Sequence, residues 1–228
     1  MNKKIIVALD GNNFSKLTKL AKNLKNEVYA YKIGYEFFFN FGIDGFKKIK
    51  KICPNIFLDL KLHDIPNTVE QGIKAIDKLK PILTTIHISG GDNMHKFSKK
   101  KITNHSKILG VSILTSLDSD QTEKYYNEKN VKNLVKKFVK YAKKNGLDGI
   151  VCSPLEIKTV RKAVGKKMII VVPGIRPANY SNKKDDQKRI ITPLKAIKMG
   201  ADYLVIGRPI TSAKNPLKEI KEINNSIK

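Results

Sequence analysis

The feature that most constrains the fold is an alternation of short apolar runs with longer amphipathic segments. Runs rich in isoleucine and valine that alternate with helical patterns are typical of a parallel sheet with crossover helices. Eight such strand–helix units occupy the 228 residues, which leaves no length for a second domain. The predicted strands are Lys4–Leu9, Val28–Ile33, Ile56–Leu62, Leu83–Ile88, Lys107–Ile113, Gly149–Cys152, Met168–Val172 and Tyr203–Ile206.

Eight units predict an α/β fold, a single (β/α)8 barrel (a TIM barrel) over residues 1–228. The alternative is a doubly wound open sheet, which needs a glycine-rich fingerprint after the first strand. The segment Asp10-Gly11-Asn12-Asn13 stands there and does not match that fingerprint.

Two connections between predicted elements lack apolar periodicity. We expect residues 115–130 to be a polar connection and residues 173–189 to form a long polar loop suited to a lid.

The chain is strongly basic, with 45 Lys and Arg against 20 Asp and Glu and a formal charge of +25. Such an excess is found in proteins that bind nucleic acids or membranes. The lysines are scattered along the whole length, however, and no nucleic-acid-binding motif is present, so we attribute the excess to compositional drift and expect no nucleic-acid partner. No apolar run approaches the roughly 18–20 residues of a membrane span. Cys53 and Cys152 have neither disulfide nor metal-site spacing, so we expect buried thiols and a cytoplasmic location.

Charge is concentrated at the end of the third predicted strand. Side chains alternate along a strand, so Asp59 and Lys61 share one face and the neighbouring leucines take the other. Charges on a packed face are costly unless paired, so this pair indicates either a functional site or a buried structural ion pair. An ammonium group among carboxylates favours the charged form of each. Such a cluster is a poor site for a metal ion or a Schiff base, because ammonium occupies the cation's place and the lysine keeps its proton.

The residues after this strand predict a turn into a helix. Asp64 follows where the strand should end, Pro66 breaks the hydrogen-bond ladder, and Asn67 or Thr68 can cap the next helix. Histidine catalysis is not favoured, because none of the four histidines has a triad arrangement. We expect His95 to lie in a basic surface segment.

In a barrel of this kind the functional site lies at the C-terminal ends of the strands. Polar residues predicted at those ends are Asp10, Lys32, Asp59, Lys61, Asp64, Ser89, Thr115 or Ser116, Ser153, Arg176 and Arg208. Gly207 exposes backbone N–H groups beside Arg208, whose guanidinium can grip phosphate oxygens. The seventh loop adds Arg176 and Gln187. Loops seven and eight are the usual phosphate site of such barrels, so we predict phosphate binding there.

The segment Asp59-x-Lys61-x-x-Asp64-Ile65-Pro66-Asn67-Thr68 resembles the signature of the orotidine 5′-phosphate decarboxylase family. The resemblance extends from end to end in the family's order. The further matching segments are Ile6-Val7-Ala8-Leu9-Asp10, Lys32-Ile33-Gly34, His87 with Gly90-Gly91, Leu114-Thr115-Ser116, Pro173-Gly174-Ile175-Arg176-Pro177, Asp186-Gln187-x-Arg189, Thr192-Pro193 and Gly207-Arg208-Pro209-Ile210.

The resemblance implies a homodimeric barrel of pyrimidine biosynthesis that converts orotidine 5′-phosphate to uridine 5′-phosphate and CO2 without a cofactor or metal. It implies a charged network of Lys32, Asp59, Lys61 and Asp64, in which Lys61 is the proton donor and Asp64 comes from the partner subunit. The resemblance also implies the substrate contacts. Asp10 and Thr68 contact the ribose, and Thr68, like Asp64, comes from the partner subunit. Thr115 or Ser116 contacts the pyrimidine, and the phosphate is bound by Arg176, Gln187, Gly207 and Arg208.

A second branch of enzymes shares the Asp-x-Lys-x-x-Asp pattern. It comprises magnesium-dependent sugar-phosphate decarboxylases and aldol-type synthases. The Ile65-Pro66-Asn67-Thr68 segment and the lid with Arg176 and Gln187 do not resemble that branch, so we favour the nucleotide decarboxylases.

Overall fold

A computed structural model describes residues 3–177, 180 and 191–228. Eight parallel strands form a closed barrel in sequential order, and β1 pairs with both β2 and β8. The strands are β1 (Ile5–Ala8), β2 (Ala30–Ile33), β3 (Ile56–Leu62), β4 (Leu83–His87), β5 (Lys107–Val111), β6 (Gly149–Val151), β7 (Ile169–Val172) and β8 (Tyr203–Ile206). The predicted (β/α)8 fold is confirmed, and every predicted strand is present.

Helices connect the strands and surround the barrel. They are α1 (Phe14–Leu24), α2 (Tyr35–Ile52), α3 (Pro66–Asp77), α4 (Gly91–Lys101), α5 (Ser119–Tyr126), α6 (Val131–Lys144), α7 (Ile157–Val164), α8 (Pro193–Lys198), α9 (Arg208–Thr211) and α10 (Pro216–Ser226). In the part of the chain that the structure describes, no helix combines the length and the apolarity that a membrane crossing requires.

Two apolar layers hold the barrel together. One fills its interior, and the other lies between the strands and the helices. The interior layer consists of Ile6, Ala8, Ala30, Phe57, Leu83, Leu109, Val171 and Val205. The outer layer takes the alternate strand positions, such as Val7, Tyr31 and Leu58. Strands buried on both faces read as continuous apolar runs, which is why the pattern predicted the barrel.

The inward positions become polar toward the C-terminal ends of the strands. Ala8, Ala30, Phe57 and Leu83 point into the barrel. Because side chains alternate along a strand, the next inward side chain lies two residues after each of them. Those next positions are Asp10, Lys32, Asp59 and Thr85. The same alternation that fills the barrel with apolar side chains therefore places three charged groups and a hydroxyl together at its upper end.

The region after β3 differs from its prediction. Pro66 is the first residue of α3, and the residue at the cap position, Ile65, makes no side-chain capping bond. Proline lacks an N–H and its fixed φ suits the first helical position, so the helix begins earlier than expected. The prediction that Asn67 or Thr68 caps α3 was therefore wrong; both lie in its exposed first turn.

Two further predictions were wrong, one for residues 115–130 and one for His95. Helix α5 lies within the segment expected to be a polar connection. Asp118 caps it by accepting from the Gln121 amide, and Thr122 is its buried residue, so it shows no apolar period. His95 is fully buried rather than on the surface, because it lies on the inner face of α4. Its Nδ1 lies 3.1 Å from Nδ2 of Asn145, which joins α4 to the end of α6.

Candidate active site

Four charged side chains form an alternating chain at the upper end of the barrel. Nζ of Lys61 lies 2.9 Å from Oδ2 of Asp59, and Nζ of Lys32 lies 3.8 Å from the same oxygen. Lys32 also reaches Oδ1 of Asp10 at 3.3 Å. Adjacent opposite charges satisfy one another. The structure thus brings together three members of the predicted network, Lys32, Asp59 and Lys61, with Asp10 as the fourth charge, whereas Asp64 lies outside this chain of contacts.

Asp59 is the buried centre of this network, with 6% of its surface exposed. Burial alone would raise the pKa of its carboxyl. The ammonium groups of Lys32 and Lys61 and the hydrogen bonds from Lys61 and Thr85 outweigh burial, so the pKa lies below its ordinary value. Asp59 is therefore a carboxylate at neutral pH, held beside two cations.

The backbone of Lys61 is strained. Its φ is 42°, in the left-handed region that residues with a Cβ rarely adopt, and the pairing of β3 with β4 shifts register between Leu58 and Leu62. A non-glycine residue in this region costs about 1–3 kcal/mol and persists where its surroundings hold it. Lys61 and Asp59 do meet as expected, but at an irregularity of the strand rather than through plain alternation. Such outliers concentrate at functional sites.

A cavity of about 640 Å³ opens above the network. The predicted site residues that line it are Asp10, Lys32, Asp59, Lys61, Thr115, Arg176, Gly207 and Arg208. Ser116 is exposed and does not line the cavity, nor do the strand-end serines Ser89 and Ser153. Gln187 and Arg189 lie outside the described residues. Glu36, Thr211 and Ser212 also line the cavity, although no sequence motif had indicated them.

Two guanidinium groups lie on the β7–β8 side of the cavity. Arg176 is 7% exposed, and its Nη1 donates to the carbonyl oxygen of Ile175 at 3.0 Å. Its Cζ lies 5.5 Å from the ring centroid of Tyr180, which restricts its orientation. Arg208 follows Gly207 directly as the first residue of α9. Two positive groups on one side of a cavity suit an anionic substrate group.

Asp64 and Thr68 lie outside this cavity. Both are exposed, and Oδ1 of Asp64 accepts a hydrogen bond from the Ile65 amide at 2.6 Å. Within residues 3–177, 180 and 191–228, no ion pair joins Asp64 to a lysine of the same chain. The same ranges contain no group of three or more His, Cys, Asp and Glu side chains arranged to hold a metal ion.

His87 has a lowered pKa of about 4, because it is largely buried and faces the His63 ring and the Lys61 ammonium. The folded protein therefore keeps His87 neutral, whereas the unfolded chain protonates it below its ordinary pKa of 6.5. The contribution of neutral His87 to the free energy of unfolding is fully present above pH 6.5. It declines as the pH falls toward 4. We expect His87 to account for about 1 kcal/mol of the free energy of unfolding lost between pH 7 and 5, after allowance for solvent screening.

Urea unfolding of wild type and His87→Asn at both pH values measures this loss. The variant should lose less stability on acidification than wild type. His105→Asn is the matched control, because His105 is exposed at the opposite end of the strands, where β5 begins. Equal losses in wild type and His87→Asn would contradict the assignment.

A barrel with an ammonium–carboxylate network at the strand ends and two guanidinium groups across the same cavity defines an enzyme for a small anionic substrate. The model of the "Orotidine 5'-phosphate decarboxylase / HUMPS family" matches residues 3–223. The chain belongs to this family.

Named relatives agree with this assignment. The orotidine 5′-phosphate decarboxylase of Trichlorobacter lovleyi is 40% identical over 230 residues, covering 98% of this chain and 95% of the relative. That of Lactobacillus johnsonii is 44% identical over 226 residues, with 95% of each covered. The crystal structure of the Lactobacillus acidophilus decarboxylase superposes with a TM-score of 0.83 at 37% identity, covering 99% of both chains. This protein is therefore an enzyme of the carboxy-lyase class, and the family supports a role in pyrimidine biosynthesis.

Proposed function

We propose that this enzyme converts orotidine 5′-phosphate to uridine 5′-phosphate and CO2 in the synthesis of UMP, as a single barrel domain over residues 1–228 and without a metal or organic cofactor. The observation that carries the proposal is the Lys61–Asp59 pair, 2.9 Å between Nζ and Oδ2, within a cavity that two arginines also line. Full-length relatives with this activity in their names support the substrate.

Lys61 carries the chemistry in this proposal. Loss of CO2 breaks the bond between the carboxylate carbon and C6 of the pyrimidine, and the bonding pair stays on C6. An ammonium beside C6 stabilises this carbanion as it forms and then donates the proton of the new C–H bond. The lysine regains a proton from solvent after product release. The ionised Asp59 carboxylate orients the ammonium and compensates its charge during this sequence.

The rest of the network holds the substrate around Lys61. Lys32 lies between Asp10 and Asp59 and completes the alternation of charge. Asp10 reaches the ribose hydroxyls at the cavity's edge. Thr115 is the better of the two candidates for the pyrimidine contact, because it lines the cavity and Ser116 does not.

The phosphate grip consists of Arg176, Gly207 and Arg208, joined by Gln187 from the segment outside the described residues. The guanidinium groups supply charge-assisted hydrogen bonds, and the backbone at the start of α9 supplies N–H donors. These contacts lie away from the reacting carbon. The binding energy of these contacts positions the pyrimidine against Lys61. This binding energy raises kcat to the extent that it is realised only in the transition state.

We further propose that the enzyme is a cytoplasmic homodimer in which Asp64 and Thr68 reach the partner subunit's cavity. Both are exposed and absent from their own cavity lining. Large apolar side chains are exposed around the same end of the barrel: Phe39 by 78%, Ile65 by 67% and Tyr35 by 49%. Exposed apolar clusters mark protein interfaces, so a second copy is a suitable cover. The free, buried thiols of Cys53 and Cys152 suit a reducing compartment.

A spectrophotometric assay with orotidine 5′-phosphate, with and without a chelator, tests this function. We expect turnover that the chelator does not change. Inactivity on this nucleotide would contradict the proposal, and magnesium-dependent turnover of a hexulose phosphate would assign the enzyme to the other branch. Tight duplex binding that weakens steeply with salt and survives Lys61→Ala would instead indicate a nucleic-acid partner.

A further inference from the structure

One buried polar side chain contacts the charged network without lining the cavity. Thr85, on β4, is 0% exposed and occupies the inward position two residues beyond Leu83. It is absent from the residues that line the cavity, so it does not face the substrate. No motif singled it out, because threonine is an ordinary strand residue.

The Thr85 hydroxyl makes two hydrogen bonds at once. It donates to Oδ1 of Asp59 at 2.9 Å and accepts from the backbone N–H of Lys61 at 2.9 Å. A hydroxyl has one donor and two acceptor sites, so both bonds form together. One side chain is thereby attached to both partners of the ion pair that carries the proposed chemistry.

The bond to Asp59 fixes how its carboxylate is turned. Thr85 holds Oδ1, which leaves Oδ2 to face Nζ of Lys61 at 2.9 Å and Nζ of Lys32 at 3.8 Å. Without Thr85, a buried carboxylate oxygen loses its donor. The carboxylate would then rotate to share both oxygens between the two ammonium groups, and both would move.

The bond to Lys61 fixes its strained backbone. At this residue φ is 42° and the β3–β4 register shifts, so the regular backbone ladder is interrupted. The Thr85 hydroxyl accepts the Lys61 N–H at this interruption. Removal of the acceptor leaves a partly buried N–H unsatisfied, which favours relaxation of the backbone.

We propose that Thr85 is a positioning residue for the decarboxylation, which sets the orientation of the Lys61 ammonium through Asp59 and through the backbone of Lys61. This inference rests on the proposed function and extends it to a residue that never touches the substrate. The effect falls on the chemical step, since binding depends on other residues.

The chain offers a matched control on the same strand. Thr84 is also 0% exposed, but strand alternation places its side chain on the opposite face of β4, and its hydroxyl has no hydrogen-bond partner among the described residues. Thr84→Val and Thr85→Val thus make the same chemical change at adjacent, equally buried positions. They differ in whether the lost hydroxyl contacts the ion pair.

The experiment compares kcat, KM and the affinity for uridine 5′-phosphate in Thr85→Val, Thr85→Ser and Thr84→Val. We expect Thr85→Val to lower kcat about 10- to 100-fold, as for loss of a hydrogen bond to a charged group, with KM and product affinity within about twofold of wild type. Thr85→Ser should restore most of kcat, and Thr84→Val should match wild type. An unchanged kcat in Thr85→Val, or a change confined to KM, would overturn the inference.

Crystal structures of the same variants test the inference independently of turnover. In Thr85→Val we expect Lys61 to leave the left-handed region and its Nζ to move away from Oδ2 of Asp59; unchanged geometry would refute the role. If the wild-type enzyme did not convert orotidine 5′-phosphate, the proposed function would be wrong. The crystal structures of the variants would still show whether Thr85 positions Lys61. Thr85→Ala replaces Thr85→Val if the added methyl group prevents folding, with the same expected results.

Discussion

Replacement of Lys61 by alanine is expected to lower kcat for orotidine 5′-phosphate by about 10⁴-fold or more. In the proposed mechanism the variant loses both the cation that stabilises the C6 carbanion and the proton that quenches it, and no other residue that the structure describes beside Asp59 replaces either. Lys32 already contacts both Asp10 and Asp59, so it is held away from the position of Lys61. Affinity for uridine 5′-phosphate should remain measurable, because the arginines at the other side of the cavity are intact. Steady-state kinetics and calorimetric titration with the product measure the two effects.

Lys99→Ala is the matched control for this variant. Lys99 also pairs with a single aspartate, at 2.7 Å from Oδ2 of Asp148, and its side chain is 26% exposed compared with 27% for Lys61. It lies away from the cavity, so we expect wild-type kcat after its removal. Turnover of Lys61→Ala near the level of Lys99→Ala would refute the proposed mechanism.

Replacement of Asp64 by asparagine is expected to lower kcat about 10²- to 10³-fold, the effect of losing one charged group from a preorganised site. Because the proposal places Asp64 in the partner subunit's cavity, this defect should be complemented between subunits. An equal mixture of Lys61→Ala and Asp64→Asn subunits, refolded together, forms dimers at random. Each mixed dimer has one intact site, so about a quarter of wild-type activity should return.

The matched control mixes Lys61→Ala with the Lys61→Ala/Asp64→Asn double variant. No pairing of these two chains restores an intact site, so activity should stay at the level of Lys61→Ala. If the first mixture regained no more than the average activity of Lys61→Ala and Asp64→Asn measured alone, Asp64 would act within its own chain, and the shared-site proposal would be wrong.

The sequence predicted the barrel well because most strand residues are buried on both faces. Burial of both faces makes a strand such as Ile5–Ala8 a continuous apolar run, and the strand ends follow from where such runs stop. Alternation along β3 predicted that Asp59 and Lys61 lie close together, but the left-handed backbone of Lys61 through which they meet was not predictable from it. Helix α5 was not predictable, because a helix with Thr122 as its buried residue leaves no periodic apolar pattern.

The details of the site depended on tertiary contacts that have no sequence signal. A left-handed backbone conformation is usually adopted by glycine or asparagine, so nothing in the sequence indicated it for Lys61. Thr85 could have been found by counting inward positions along β4 from Leu83, but its two hydrogen bonds require the register of β3 against β4. His95 was misassigned because its neighbours in sequence are basic, whereas burial is decided by the face of α4 on which it lies.

The closure of β1 against β8 has a consequence for how the enzyme becomes active during synthesis. Asp10 follows β1, and Gly207 and Arg208 follow β8, yet these residues line one cavity. A ribosome-bound chain that has made seven strands lacks Arg208, to which the proposed function assigns a phosphate contact. Pairing of β1 with β8 is also the most non-local strand contact of the barrel and carries the largest loop-closure entropy. Substrate affinity should therefore appear only after the last strand docks, so no partly folded barrel competes for the nucleotide.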